Sequence, residues 1–125
     1  MRGITRRMVV AAASAAVAVT LAVQPAFAAV VQIDRFGATV QLDTAPGNGA
    51  PSWVWVYGAG DNWAISTRAQ YMYVGSKTIH TLQVGRRKSA SVSTPEEVRA
   101  IRACVLVKYP RHKEFWSCSE WLASS

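Results

Sequence analysis

RAIRACVLVKYPRHKEFWSCSEW, residues 99–121, carries both cysteines of the chain, Cys104 and Cys118, and its reading decides the fold. If the two cysteines face each other in an antiparallel hairpin, every other pair is set, because paired residue numbers must then sum to 222. Arg102 faces Glu120, Lys108 faces Glu114, Leu106 faces Trp116, and Tyr109-Pro110-Arg111-His112-Lys113 forms the loop. On the other face Ile101 meets Trp121 and Val107 meets Phe115. Opposite charges and apolar side chains therefore fall opposite each other in one register. The stretch reads as a hairpin closed by a cystine.

An oxidising compartment is implied by the other end of the chain. Met1 to Met8 carries Arg2, Arg6 and Arg7 and no acid, and Val9 to Val23 is a run of small and apolar residues broken by Ser14 and Thr20. Gln24-Pro25 stops that run, and Ala26-Phe27-Ala28 is an Ala-x-Ala site before Ala29. These are the three parts of a secretory signal peptide, with cleavage expected after Ala28. As a helix the apolar run rises only about 22 Å, short of the ~30 Å needed to span a bilayer, so cleavage is favoured over anchoring. Thr5-Arg6-Arg7 resembles a twin-arginine export motif, but paired arginines are also ordinary in such regions. No cysteine lies near the cleavage site to take a lipid, and no wall-sorting motif or apolar tail ends the chain. The expectation is a released protein without a stable membrane anchor.

Residues 29–125 are enough for one small domain. Removing the three arginines of the leader from fourteen Lys+Arg leaves eleven against seven Asp+Glu, a net of +4. Such an excess suits contact with anionic wall polymers or membrane surfaces. In a secreted chain two cysteines are a disulfide far more often than a metal pair or a nucleophile.

From Ala29 the pattern is alternation. Phe36, Ala38, Val40 and Leu42 share one face of an expected strand, with a bulge or bend at Asp34-Arg35 where Val31 and Ile33 fall out of phase. Thr44 to Ser52 holds two prolines and two glycines and reads as a loop. Trp53, Trp55 and Tyr57 alternate with Val54 and Val56, so both faces are apolar and the strand is expected to be central. Gly58-Ala59-Gly60 lacks the Gly-Lys-Ser/Thr of a phosphate loop and reads as a turn. Trp63 to Val74 alternates again, and Gly75-Ser76 signals a two-residue type II′ hairpin returning over Lys77 to Val84. Gly85-Arg86-Arg87-Lys88 is the next turn, and Ser89 to Ser93 a short strand. Thr94-Pro95-Glu96-Glu97 matches a helix capping box, yet Val105-Leu106-Val107 is rich in β-branched residues. At most one short helical turn is expected there. The sum is an all-β domain, a single small antiparallel β-sandwich of about seven strands with one disulfide.

No catalytic set stands out. His80 and His112 are the only histidines, and His80 with Asp61 or Asp43 has no nucleophile context such as Gly-x-Ser-x-Gly. Glu96-Glu97 is the one adjacent acidic pair, and metal-ligand spacing disappears once the cysteines are spent on each other. The sequence implies no enzyme, cofactor or metal, and no base-stacking motif points to nucleic acid.

Five tryptophans with Tyr57, Tyr71 and Tyr73 are more aromatic surface than a small core needs. Aromatics on a sheet face can stack on sugar rings, but alternating aromatics more commonly line the interior. Trp116 is the exception, since the hairpin register turns it outward as a ligand contact. Arg86 and Arg87 at one turn, and Arg111 and Lys113 at another, are the candidate partner contacts. A braced loop with Arg111 or Lys113 could equally be a protease-inhibitor loop or an ordinary basic turn.

The alanine-rich leader, the single disulfide, and Arg102-Ala103-Cys104-Val105 with Cys118-Ser119-Glu120-Trp121 resemble small secreted β-sandwich proteins of streptomycetes and related actinobacteria, which have no assigned activity. Tyr73-Val74-Gly75-Ser76-Lys77-Thr78-Ile79-His80 separately resembles the Gly-Ser-Lys-Thr-His segment of lactococcin-type bacteriocins, with Ile79 inserted before His80. The expected protein is a secreted, monomeric, non-enzymatic binding or interaction protein whose partner is an anionic cell-wall polymer, a glycan or a protein. The second resemblance implies the alternative, an antimicrobial protein acting on the cell envelope.

Overall fold

The computed structural model describes residues 30–60 and 63–124. The leader, its cleavage-site residues Ala26, Ala28 and Ala29, and also Asp61 lie outside the described residues. The described strands are β1 (Val30–Arg35), β2 (Ala38–Asp43), β3 (Ser52–Tyr57), β4 (Ala64–Tyr73), β5 (His80–Gly85), β6 (Ser89–Thr94), β7 (Val98–Val107), β8 (Phe115–Cys118) and β9 (Leu122–Ala123). They form two antiparallel sheets, one in the order β1-β2-β3-β6 and the other β5-β4-β7-β8, with β9 pairing further along β7. The fold is a small all-β sandwich.

Alternation makes the core. Val40, Leu42, Val54 and Val56 of the first sheet join Ala69, Tyr71, Val98, Ile101 and Ala103 of the second in one buried cluster. Each buried aliphatic side chain of this size stabilises by about 1.5–3 kcal/mol relative to exposure. Ala38, Ala59, Ala64, Val105 and Val107 form a second cluster under Tyr109, closing one end.

The hairpin register holds from Val107↔Phe115 through Leu106↔Trp116 and Val105↔Ser117 to Cys104↔Cys118, where the disulfide forms across a Cα–Cα distance of 3.9 Å. Beyond the cystine it slips by one. Ser119 N–H still donates to the Ala103 carbonyl at 2.8 Å, but Ile101 pairs with Leu122 instead of Trp121. The Ser119 hydroxyl accepts the Ala103 N–H at 3.0 Å and donates to the Glu120 carbonyl, holding an extra residue opposite Arg102. One added residue reverses side-chain parity, so Trp121 moves to the outer face. Neither expected ion pair forms among the described residues. Arg102 donates to Gln70 Oε1 at 2.8 Å, and the Lys108 ammonium binds the carbonyls of Tyr109 and His112.

Three local expectations also change. Phe36-Gly37 is a two-residue turn with φ of 52° and 81°, so the segment from Val30 to Asp43 is a hairpin of two strands, not one strand with a bulge. The Gly75 turn has its positive φ (79°) at the third residue of Tyr73-Val74-Gly75-Ser76, closed by Ser76 N–H to the Tyr73 carbonyl at 3.1 Å. That is the type II pattern, and the returning strand begins only at His80. The expectation of at most one short helical turn after Thr94 holds, with none formed among the described residues. The Thr94 hydroxyl lies 2.7 Å from the Glu96 carbonyl and 3.2 Å from that of Ser52, so it meets acceptors and caps no helix. The strand count is correspondingly higher than expected, because the chain breaks its long alternating runs at Phe36-Gly37 and after Cys118.

Candidate functional site

Val54 and Val56 are fully buried, which obliges Trp53, Trp55 and Tyr57 to project from the other face of β3. The interior was the expected place for these aromatics; the structure corrects this. Register aligns Trp53 with Asp43 and Ser93, Trp55 with Gln41 and Ser91, and Tyr57 with Thr39 and Ser89. An aromatic strip thus runs along the central strand, bordered by polar β2 and serine-bearing β6. The rings of Trp55 and Tyr57 lie 6.3 Å apart and within 15° of parallel. That separation is close to the two-residue repeat of a strand, about 6.7 Å.

The polar border is tied together. Gln41 Nε2 donates to Gln32 Oε1 at 2.6 Å, Gln32 Nε2 to Asp34 Oδ2 at 3.1 Å, and Thr39 Oγ1 to Asp34 Oδ1 at 2.8 Å. The Thr39 hydrogen bond, then that of Gln32, holds the Asp34 carboxyl below the usual aspartate range. At the Trp53 end Asn48 Nδ2 donates to Ser93 Oγ at 3.1 Å, bringing the proline- and glycine-rich loop to the edge of this face. A flat apolar strip flanked by fixed hydrogen-bonding groups can take a ligand with one apolar face and polar edges.

On the second sheet Trp116 is half-buried on the outer face, and the Arg68 guanidinium lies 3.8 Å from its ring centroid. Arg68 Nε is held by Gln83 Oε1 at 2.8 Å. Arg102 stacks likewise on Trp121 at 4.6 Å. The cystine lies between these two stacks in the register, and the exposed ring face that a ligand would use on Trp116 is covered by Arg68.

The four basic candidates meet at one end of the sandwich. Ser66 pairs with both Gly85 and Leu106, so the turn after β5 and the loop after β7 emerge side by side at the start of β4. Arg86 Nε donates to the Ala64 carbonyl at 3.3 Å, Arg87 Nη2 to Gly60 at 3.3 Å, and Lys108 N–H to Trp63 at 2.8 Å. Arg111 and Lys113 are exposed in the hairpin loop, where Pro110 precedes Arg111 at φ 63° and His112 N–H closes on the Tyr109 carbonyl at 3.1 Å. At this end Trp63, Tyr109 and Phe115 touch in series, with centroids 5.7 Å and 6.1 Å apart.

The histidines are separate. His80 packs between Tyr71 and Tyr73 at 5.5 Å and 4.4 Å, while His112 lies in the basic loop. Asp43 accepts the Ala45 N–H at 2.9 Å as a loop-starting residue, and Asp61 is outside the described residues. The bacteriocin-like segment forms the exposed turn and loop between β4 and β5, at the opposite end from the basic loops. Among the described residues no group of three or more His, Cys, Asp or Glu is placed to hold a metal ion.

Compared with protein-family models, curated proteins and solved structures, the chain matches none. The aromatic strip escaped the sequence because both faces of β3 are apolar, although Thr39-Gln41-Asp43 and Ser89-Ser91-Ser93, once paired with it, point to the outward face.

Proposed function

We propose that this chain is a secreted, non-enzymatic, monomeric binding protein, released by cleavage after Ala28, that recognises an extended β-linked glycan through Trp53, Trp55 and Tyr57. The observation that carries the reading is the outward projection of all three rings from one central strand between two polar borders. The C–H bonds on a sugar ring's flat face meet the negative face of an aromatic ring favourably, while its hydroxyls need polar partners at the edge. Gln32, Gln41, Thr39 and the serines of β6 stand where those edges would fall. A linear strip suits a ribbon-like chain better than a compact branched one. The disulfide fits an extracellular destination, where such bonds persist.

Depletion assays of the secreted protein with cellulose, chitin and peptidoglycan test this reading. Retention on at least one, lowered tenfold or more in Trp55→Ala with the melting transition kept, is the expected result. Retention on none, or binding indifferent to Trp55→Ala and Tyr57→Ala, overturns it.

A further inference from the structure

The end of the sandwich opposite the bacteriocin-like segment combines charge with protruding apolar groups. The described residues of its connections, Phe36-Gly37, residues 58–60 with Trp63, 86–88 and 108–114, bring together Arg86, Arg87, Lys88, Lys108, Arg111 and Lys113. By sequence these connections carry two acids, Glu114 and Asp61, against the six cations, with Asp61 outside the described residues. Three large apolar side chains stand out among these cations: Phe36 is 39 % exposed, Trp63 41 % and Phe115 45 %.

Phe36 adds an independent sign. It occupies the first turn position at φ 52°, where glycine, asparagine or aspartate is usual and a bulky side chain is strained. Arg35, which anchors to Ser117 Oγ at 2.8 Å, places its guanidinium 5.8 Å from the Phe36 ring. Phe36 belongs to neither buried cluster, and the part of its ring that Arg35 and the turn leave uncovered is open to a partner.

We propose that this end docks reversibly on an anionic lipid bilayer, with Phe36, Trp63 and Phe115 entering the interfacial layer and the lysines and arginines facing lipid phosphates. Charge complementarity selects an anionic partner, and the exposed rings select a bilayer over a soluble polyanion, which has no apolar layer to receive them. Aromatic side chains favour the membrane–water interface, and basic residues near it add to binding. This surface is distinct from the aromatic strip, so either reading can fail alone.

The test is cosedimentation of the secreted protein with phosphatidylglycerol-containing vesicles, with phosphatidylcholine vesicles, and with polyphosphate-coated beads. Binding to the anionic vesicles is expected, weakening with salt as charges are screened but retained at salt concentrations that abolish bead binding. Arg111→Gln with Lys113→Gln should cost about fivefold for each cation removed. Phe36→Ser with Phe115→Ser should weaken vesicle binding several-fold and leave bead binding unchanged. No binding to anionic vesicles, or vesicle binding that ignores the phenylalanines and matches bead binding, overturns the proposal. The salt series on the unaltered chain, comparing vesicles with beads, stands even if a variant fails to fold: vesicle binding that vanishes with salt in step with bead binding counts against insertion.

Discussion

Trp121 lies under the guanidinium of Arg102, 4.6 Å from charge centre to ring centroid, where strict continuation of the cystine register would have set Glu120 opposite that arginine. The one-residue slip after Cys118 exchanges an ion pair at a sheet edge for a cation–π contact and a hydrogen bond to Gln70. Exposed ion pairs are worth little, and a stacked arginine covers apolar surface as well. A double-mutant cycle with Arg102→Ala and Trp121→Ala, read by urea unfolding, should return a coupling of about 0.5–1 kcal/mol. A coupling of zero would show that the stack is only adjacency.

Gly58 is held by backbone alone. Its N–H donates to Lys88 at 2.8 Å and its carbonyl accepts from Arg87, clasping the turn after β5. A Cβ at this position would stand 2.0 Å from the Gly85 carbonyl oxygen, and backbone cannot yield as a flexible side chain does. Gly58→Ala should therefore destabilise by more than about 3 kcal/mol, in the range reserved for overpacking and backbone effects. Gly85→Ala, whose added methyl meets nothing within 4 Å, is the control and should fall within about 1 kcal/mol of the parent. Thermal unfolding of the two compares them directly; equal stabilities would refute the close approach.

How far the sequence reaches is visible in these same places. The cystine supplies a numerical constraint, so the β7–β8 register follows from the two cysteine positions alone. The slip beyond it depends on Ser119 turning its hydroxyl to the Ala103 N–H, a choice between local hydrogen bonds that no periodicity encodes. The Phe36-Gly37 turn was hidden for another reason: phenylalanine is a poor residue for positive φ, so alternation suggested that the strand continued. For Trp53, Trp55 and Tyr57, both parities were apolar, and the polar faces of β2 and β6 break the tie only when strand pairing is known. Arg86-Arg87 and Arg111-Lys113 were legible as basic turns, but their meeting at one end follows from both neighbours pairing with the start of β4.

Thr67 is 1 % exposed on the inner face of β4, aligned with Val105, and its hydroxyl has no hydrogen-bond partner among the described residues. A buried hydroxyl that has lost water without gaining a partner opposes folding. Valine has nearly the same shape and no such group. Thr67→Val should raise the unfolding free energy by about 1 kcal/mol, measured by urea denaturation at neutral pH. A loss of stability would mean that the hydroxyl finds a partner in solution.

Tyr71 ties the core to alkaline stability. It is 7 % exposed, with its ring near Tyr73 and His80, at 6.0 Å and 5.5 Å. Burial first, and then the neighbouring Tyr73, raises its phenol above the ordinary tyrosine range, because the phenolate would lose hydration and face a second forming charge. The sign follows from linkage. A raised folded pKa means that the unfolded chain releases this proton first as the pH climbs. The contribution is therefore whole below the unfolded pKa of about 10 and is lost as the pH rises through the higher folded value. Tyr71→Phe removes the titration while keeping the ring. Plotted against pH, the unfolding free energy of the parent should fall more steeply above pH ~10 than that of Tyr71→Phe, with the two curves parallel between pH 7 and pH ~9. Curves that remain parallel through pH ~11 would place the Tyr71 hydroxyl in contact with water.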